Sequence, residues 1–158
     1  FVNNLKLRAI YGFVGVQPTG DFQSLDLYGA GGAYNNLPGI RPTQLGNPQL
    51  TWEEAATINL GLDFAFVNSR IYGSVDFWRR NNTELLLPQT LAADSGFGSI
   101  LVNLGEVQNE GIDFEISSVN VDAGGFKWVS SFNIGLQRNE IISLGEGVDR
   151  IGNTYIVG

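Results

Sequence analysis

Residues 57–77 read TINLGLDFAFVNSRIYGSVDF. Ile58, Leu60, Leu62, Phe64 and Phe66 alternate with Thr57, Asn59, Gly61, Asp63 and Ala65. After the turn-forming Asn68-Ser69-Arg70, Ile71, Val75 and Phe77 alternate with Tyr72, Ser74 and Asp76. A period of two with apolar residues on one parity marks a β-strand with one greasy face. Two such runs separated by a tight turn predict an antiparallel hairpin.

Working outward, the same alternation recurs in both directions. Leu5, Leu7, Ala9, Tyr11 and Phe13 oppose Lys6, Arg8 and Gly12 upstream. Downstream, Ile112, Phe114 and Ile116 oppose Asp113, Glu115 and Ser117. Phe126, Trp128, Phe132, Ile134 and Leu136 oppose Lys127, Ser131, Asn133 and Gln137. The pattern predicts an all-β chain with antiparallel strands near 3–15, 53–67, 70–87, 101–121 and 126–142, joined in sequence order. No segment carries the 3.6-residue period of a helix. Asn68-Ser69-Arg70 and Asp122-Ala123-Gly124 read as tight turns, whereas 17–51, 88–101 and the stretch from 143 onward read as long loops rich in Gly, Pro, Asn and Gln. Tight turns at one end and long loops at the other are the pattern of a transmembrane β-barrel, about five meandering strands of it here.

Turn parity agrees with this arrangement. The first hairpin needs an even loop, Asn68-Ser69 or Ser69-Arg70. The second needs an odd one, which Asp122-Ala123-Gly124 supplies. The apolar parity runs for about ten residues, and ten residues tilted near 45° rise roughly 23 Å, close to a hydrocarbon layer. The opposite parity holds Lys6, Arg8, Asp63, Asp76, Asp113, Glu115 and Lys127, which an aqueous lumen tolerates and a dry core does not. Val119 and Val121 reverse the apolar parity, so a bulge or the end of the apolar band is expected near Ser117-Ser118. A Ser69-Arg70 turn sets Asp63 directly opposite Asp76, and an Asn68-Ser69 turn makes them diagonal neighbours. Either way the pair needs water or a cation, supplied by a neighbouring strand (Lys127 or Lys6 has the right face) or by a part of the protein outside these residues, so contact with water, Lys or Arg is expected.

Composition closes off other classes. The 158 residues contain no Cys, no Met and no His. The sequence therefore offers no disulfide, no thiolate or imidazole catalysis and no zinc ribbon. Nine basic against sixteen acidic residues, a net charge of -7, argue against nucleic acid as a partner. The mean hydropathy is +0.02, and no apolar run is long enough for a spanning helix. Phe1 opens the sequence without a signal pattern, which reads as the interior of a longer chain.

Four strings then stand in order. Asn47-Pro48-Gln49-Leu50-Thr51-Trp52-Glu53 resembles the NPxLxWE segment of SusC/RagA-type TonB-dependent outer-membrane transporters. Gly61-Leu62-Asp63-Phe64 with Asn68, Arg70-Ile71 and Gly73 to Phe77 resembles that family's GLDFxFxNxRxxGSVDxY hairpin. Asn103 to Val107, Asn109 and Gly111 to Glu115 resemble its NxGxxxNxGIExE strand, and Phe126-Lys127-Trp128 with Asn133 and Asn139 its FxW…N…N strand. The resemblance implies a 22-stranded barrel of which residues 1–158 are a C-terminal part, without the plug domain and TonB box. It also implies residence in the outer membrane of a Gram-negative, Bacteroidetes-like cell, contact with outer-membrane lipid, and no cofactor. The implied activity is TonB-dependent import of glycan oligosaccharide or peptide, captured by a SusD-like surface lipoprotein.

Individual residues are weighed on that background. Tyr28, Tyr34, Asp21 and Asp26, in the longest loop, are candidate contacts for substrate or for the lipoprotein; aromatic rings stack on sugars and anchor interfaces. Packing within their own loop is the plain reading of the tyrosines, and the aspartates lack the spacing of a calcium loop, so no metal is expected. Asp63, Asp76, Asp113, Glu115 and Lys127 are expected to face the lumen. Asp113 and Glu115 resemble a glycosidase pair only in spacing, and a hydrated wall with Lys127 as counter-ion accounts for them better. Tyr11, Phe13, Phe64, Phe66, Phe77 and Trp128 are expected on the lipid face or in its aromatic girdle. Gly29, Gly31 and Gly32 lack the strand-to-helix context of a phosphate loop. The competing function, from another class, is a soluble β-sandwich carbohydrate-binding module, which would bury the Leu/Ile/Phe face against a second sheet. An enzyme has no support in the residue set.

Overall fold

In the computed structural model the described residues are 1–17, 20–35, 37–145, 150–151 and 155–157. Among them nine strands follow in order: β1 Val2–Val16, β2 Leu27–Tyr34, β3 Leu37–Gln44, β4 Glu53–Phe66, β5 Ile71–Thr90, β6 Ser99–Ala123, β7 Phe126–Ser143, β8 Arg150–Ile151 and β9 Tyr155–Ile156. Five of them make one sheet in the order β1-β4-β5-β6-β7, antiparallel and joined in sequence order. The helical content among the described residues is one 3-10 turn, Ala93–Ser95. All five expected strands are present, with β5 and β6 extending beyond their expected ends.

The long connections are not structureless. The first contains the β2·β3 hairpin, paired from Leu27↔Gln44 to Tyr34↔Leu37 with irregular register after Leu27 and after Ala30. The last contains the β8·β9 pair. Sequence alternation misses β2 and β3 because Gly29, Gly31, Gly32, Pro38, Gly39 and Pro42 remove the side chains or donors by which a strand is read.

The chain separates into two compact units. The first comprises 1–13, 56–81 and 107–140, and holds the tight turns. In the first turn Arg70 N–H donates to Val67 C=O at 3.1 Å across Asn68-Ser69, with φ +56° and +59° at the central residues. This is the Asn68-Ser69 turn rather than Ser69-Arg70. The guanidinium of Arg70 then donates to the carbonyls of Val119 (3.2 Å) and Asn120 (3.0 Å), tying the hairpin to β6. In the second turn the left-handed pair is Gly124-Gly125, φ +62° and +83°, so the loop lies later than the expected Asp122-Ala123-Gly124.

Beyond that turn odd residues face odd. Ser117 and Ser131 share a hydrogen bond of 2.9 Å, and Gly135 lies under Asp113. On the even face Asn120 Nδ2 donates to Ser130 Oγ at 2.7 Å and Ser118 Oγ to Asn120 Oδ1 at 2.9 Å. Alternation therefore continues unbroken through Ser117-Ser118. The apolar face simply ends there in a polar Ser118–Asn120–Ser130 strip.

The unit has almost no dry interior. Among the described residues the buried hydrophobic ones are Ala55, Ala65 and Leu144, and no large side chain is fully buried. Of the eight residues expected on the outer face, Ile58 and Leu60 are 44% and 51% exposed, while Leu62, Phe64, Val75, Phe77, Phe114 and Ile116 are half-buried. Phe64 stacks on Phe66 (centroids 5.5 Å) and Phe66 on Phe1 (5.9 Å). A β-sandwich buries such a face between two sheets; here it is open, and the sandwich reading is set aside.

The second unit comprises 14–55, 82–106 and 141–158. It contains β2·β3, the 3-10 turn and the loop-end stretches of β1, β4, β5, β6 and β7. Gly105 lies under Leu85 and Leu87, where an added Cβ would come within 2.8 Å of the Leu85 Cβ.

The φ of Gly125 sets a test. Gly125→Val places a β-branched residue in the left-handed region, at a cost of about 1–2 kcal/mol. The urea midpoint of the refolded intact barrel should fall accordingly, and Gly12→Val, which meets open space at an ordinary φ, should leave it unchanged.

Candidate functional site

The polar face of the first unit is built around one arginine. Arg8 on β1 reaches across β4 and donates from Nε to Asp63 Oδ2 (3.0 Å) and from Nη2 to Asp63 Oδ1 (2.9 Å). The same Nη2 donates to Asp76 Oδ2 on β5 at 3.1 Å. A planar guanidinium suits this fork, because its donors are fixed in one plane and match a carboxylate edge-on. The path is open because residue 61 is glycine. A Cβ there would meet Asp76 Oδ1 at 2.5 Å and the guanidinium carbon of Arg8 at 2.8 Å.

The device repeats on the neighbouring strands. Trp78 on β5 donates from Nε1 to Asp113 Oδ2 on β6 at 3.1 Å, its ring lying over Gly111. Asp113 Oδ1 in turn lies over Gly135 on β7. Long polar side chains thus lie along the face, each over a glycine of the next strand. A shallow groove of about 450 Å³ runs beside them, bordered by Ser74, Asp76, Asp113, Glu115, Asn133 and Gly135. On the opposite face, past Phe77, Arg79 donates twice to Glu110 Oε2, at 3.0 and 2.7 Å.

Several expected partnerships take a different form. Asp63 and Asp76 share a face and a cation, as the parity required, but the cation is Arg8 rather than Lys127 or Lys6. Lys127 sits 3.9 Å from Asp122 and is not the counter-ion of Asp113 or Glu115. Local reading puts Arg8 on the correct face; it misses the contact because the register of β1 against β4 is set across a long excursion, with no turn to count from. Trp78, Arg70 and Asn103 are further residues with structural roles that periodicity does not reveal.

In the second unit Asp26 Oδ1 accepts from Gly46 N–H at 2.7 Å, which makes Asp26 a brace of its own loop. Asp21 and Tyr28 are exposed, and the side chain of Tyr34 lies outside the described residues. Among the described residues no three His, Cys, Asp or Glu side chains gather closely enough to hold a metal ion. Tyr11, Phe13 and Trp128 are exposed, and Phe66 and Phe77 are half-buried.

The Arg8 fork can be tested. Arg8→Gln leaves two carboxylates on one face without their shared cation, and should lower the urea midpoint of the intact barrel. Adding Asp63→Asn and Asp76→Asn should recover most of the loss. A single Arg8→Gln change with no effect would show that the fork adds nothing to stability.

Comparison with known proteins accords with this geometry. Residues 1–155 match the family described as TonB dependent receptor-like, beta-barrel. TonB-dependent receptor P39 of Formosa agariphila is 38% identical over 146 residues, 92% of this chain and 14% of that protein. TonB-dependent receptor SusC of Bacteroides thetaiotaomicron is 34% identical over 157 residues, 94% of this chain and 16% of that protein. The chain thus spans about one-seventh of the length of these relatives. Among solved structures, the RagAB peptide transporter superposes with a TM-score of 0.80 at 26% identity, covering 99% of this chain and 18% of that one. The RagAB peptide importer in its open-open state superposes at 0.85 with the same identity and coverage. With the sorted faces, the strand order and the family match over nearly its whole length in agreement, the chain belongs to the TonB-dependent receptor-like β-barrel family.

Proposed function

We propose that the chain forms part of the barrel wall of an outer-membrane importer that takes up glycan oligosaccharide or peptide at the expense of TonB-delivered force. The observation that carries this reading is the contrast between the two faces of one sheet. One side is an apolar surface on which Ile58 and Leu60 stand exposed beside half-buried Leu62, and the other carries the Arg8–Asp63–Asp76 fork. A single sheet with no dry interior is stable when lipid meets the first side and water the second.

In this reading Asp63, Asp76, Asp113, Glu115 and Lys127 face the aqueous lumen. Tyr11, Phe13, Phe64, Phe66, Phe77 and Trp128 meet lipid or its interfaces. The wall makes and breaks no covalent bonds. Its work is to bound the channel and to hold the excursion between β1 and β4, whose exposed Tyr28 and Asp21 are offered to substrate or to a SusD-like surface lipoprotein. The solved RagAB neighbours are a peptide transporter and a peptide importer, which supports peptide as a class of cargo; the lipoprotein cap rests on the family resemblance of the sequence motifs. Plug and TonB box belong to parts of the polypeptide outside these 158 residues.

Two measurements test the proposal. The intact protein should fractionate with the outer membrane, and uptake of labelled oligosaccharide or peptide should stop when TonB is deleted. Leu60→Arg should destabilise the barrel in lipid vesicles by about 2–4 kcal/mol if the residue sits near the bilayer midplane. Thr57→Arg, on the opposite parity, should cost far less. Equal effects at both positions would overturn the assignment of faces.

A further inference from the structure

Among the described residues, Glu84 is the only non-glycine with a left-handed backbone inside a strand, at φ +56° in the middle of β5. Such a residue interrupts the ladder, and the peptide groups beside it need partners from elsewhere. Side chains supply them. Asn103 Nδ2 on β6 donates to Glu84 C=O at 2.8 Å, and Glu53 Oε1 at the start of β4 accepts from Leu86 N–H at 3.0 Å.

Asn103 does more than repair the strand. Its Oδ1 accepts from Thr51 N–H at 2.9 Å, and its Nδ2 also donates to Thr51 C=O at 3.0 Å. The carboxamide thus pairs with the main chain of Thr51 as a neighbouring strand would. A few residues earlier, Asn47 Nδ2 donates to Leu101 C=O at 2.9 Å while its Oδ1 accepts from Gln49 N–H at 3.0 Å. Next to Thr51, Trp52 rests its ring on Gly15, 3.0 Å from where a Cβ would stand. The returning limb 47–53 is therefore fixed to β1 by Trp52, to β5 by Glu53, and to β6 by Asn47 and Asn103. Upstream, the base of the excursion closes on itself: Gln44 Nε2 donates to the carbonyls of Phe22 and Leu25, both at 3.0 Å.

We propose that Asn103, seated on the Glu84 bulge, is a latch that makes the returning half of the excursion, residues 37–52, a fixed part of the wall rather than a swinging lid. It is a positioning residue, acting through Thr51. All three bonds require an amide, with one acceptor and two donor hydrogens, so the isosteric acid cannot replace it: a carboxylate would face two carbonyl oxygens. At Glu53 only an acceptor is needed, and a neutral amide supplies one. The latch itself stands on this geometry; its meaning for permeability rests on the importer reading.

The experiment uses the intact protein in outer membranes. Asn103→Asp and Asn103→Ala should each speed chymotrypsin cleavage within the excursion by about tenfold or more, while the heat-modifiable gel mobility of the folded barrel is unchanged. Glu53→Gln should stay within about twofold of wild type, since its acceptor survives. An Asn103→Asp barrel as resistant as wild type overturns the latch. Should that variant fail to insert, hydrogen exchange on the wild-type barrel decides: a Thr51 amide at least about a hundredfold slower than an open-chain amide supports the latch, and free exchange overturns it. A released excursion should also sensitise cells to a large hydrophilic antibiotic. Faster cleavage without sensitisation would uphold the latch and count against the importer mouth.

Discussion

A sheet one layer thick cannot hide anything. Every side chain lies on one of two surfaces, and each surface must suit the medium it meets without help from a second layer. In this chain the interior of a globular domain is reduced to Ala55, Ala65 and Leu144 among the described hydrophobic residues. Stability then depends on backbone pairing and on what surrounds each face. The strict alternation of Leu, Ile and Phe with Asn, Asp and Gly follows from that constraint, because a single-residue slip would turn each face to the wrong solvent.

The same constraint governs what the sequence discloses. Strands β1, β4, β5, β6 and β7 were legible because each faces two media, so polarity and parity coincide. The Asn68-Ser69 turn was legible as one of two choices because parity leaves few loop lengths open. The hairpin β2·β3 was not, since Gly29, Gly31, Gly32 and Gly39 contribute no side chain to a pattern. Nor was the counter-ion of Asp63 and Asp76. Charge and face admitted Lys6, Arg8 and Lys127 alike, and only the register of β1 on β4 selects Arg8. The NPxLxWE segment was visible as a resemblance, but its physical content appears only in three dimensions, where Asn47, Trp52 and Glu53 grip three different strands.

The two units meet their backbone requirements differently. In the first, regular pairing leaves little unsatisfied, and side-chain bonds run across the face from Arg8 to the carboxylates and from Trp78 to Asp113. In the second, an interrupted strand and a long excursion expose peptide groups, and the amides of Asn47, Asn103 and Gln44 are spent on main-chain carbonyls. Carboxamides suit the second task because they offer donors and an acceptor from one group without adding charge. Guanidinium suits the first, where two like charges share one partner.

Gly61 and Arg8 constrain each other in this arrangement. The guanidinium occupies the volume that any side chain at 61 would need. A lineage that gains a methyl group at 61 must first shorten or redirect the arginine at 8, and one that loses the arginine frees 61 to vary. Gly111 with Trp78 and Gly135 with Asp113 form two more such couples. The polar face therefore couples its positions in pairs, each pair on adjacent strands, and at Gly61, Gly111 and Gly135 the missing side chain is the room its neighbour's side chain takes.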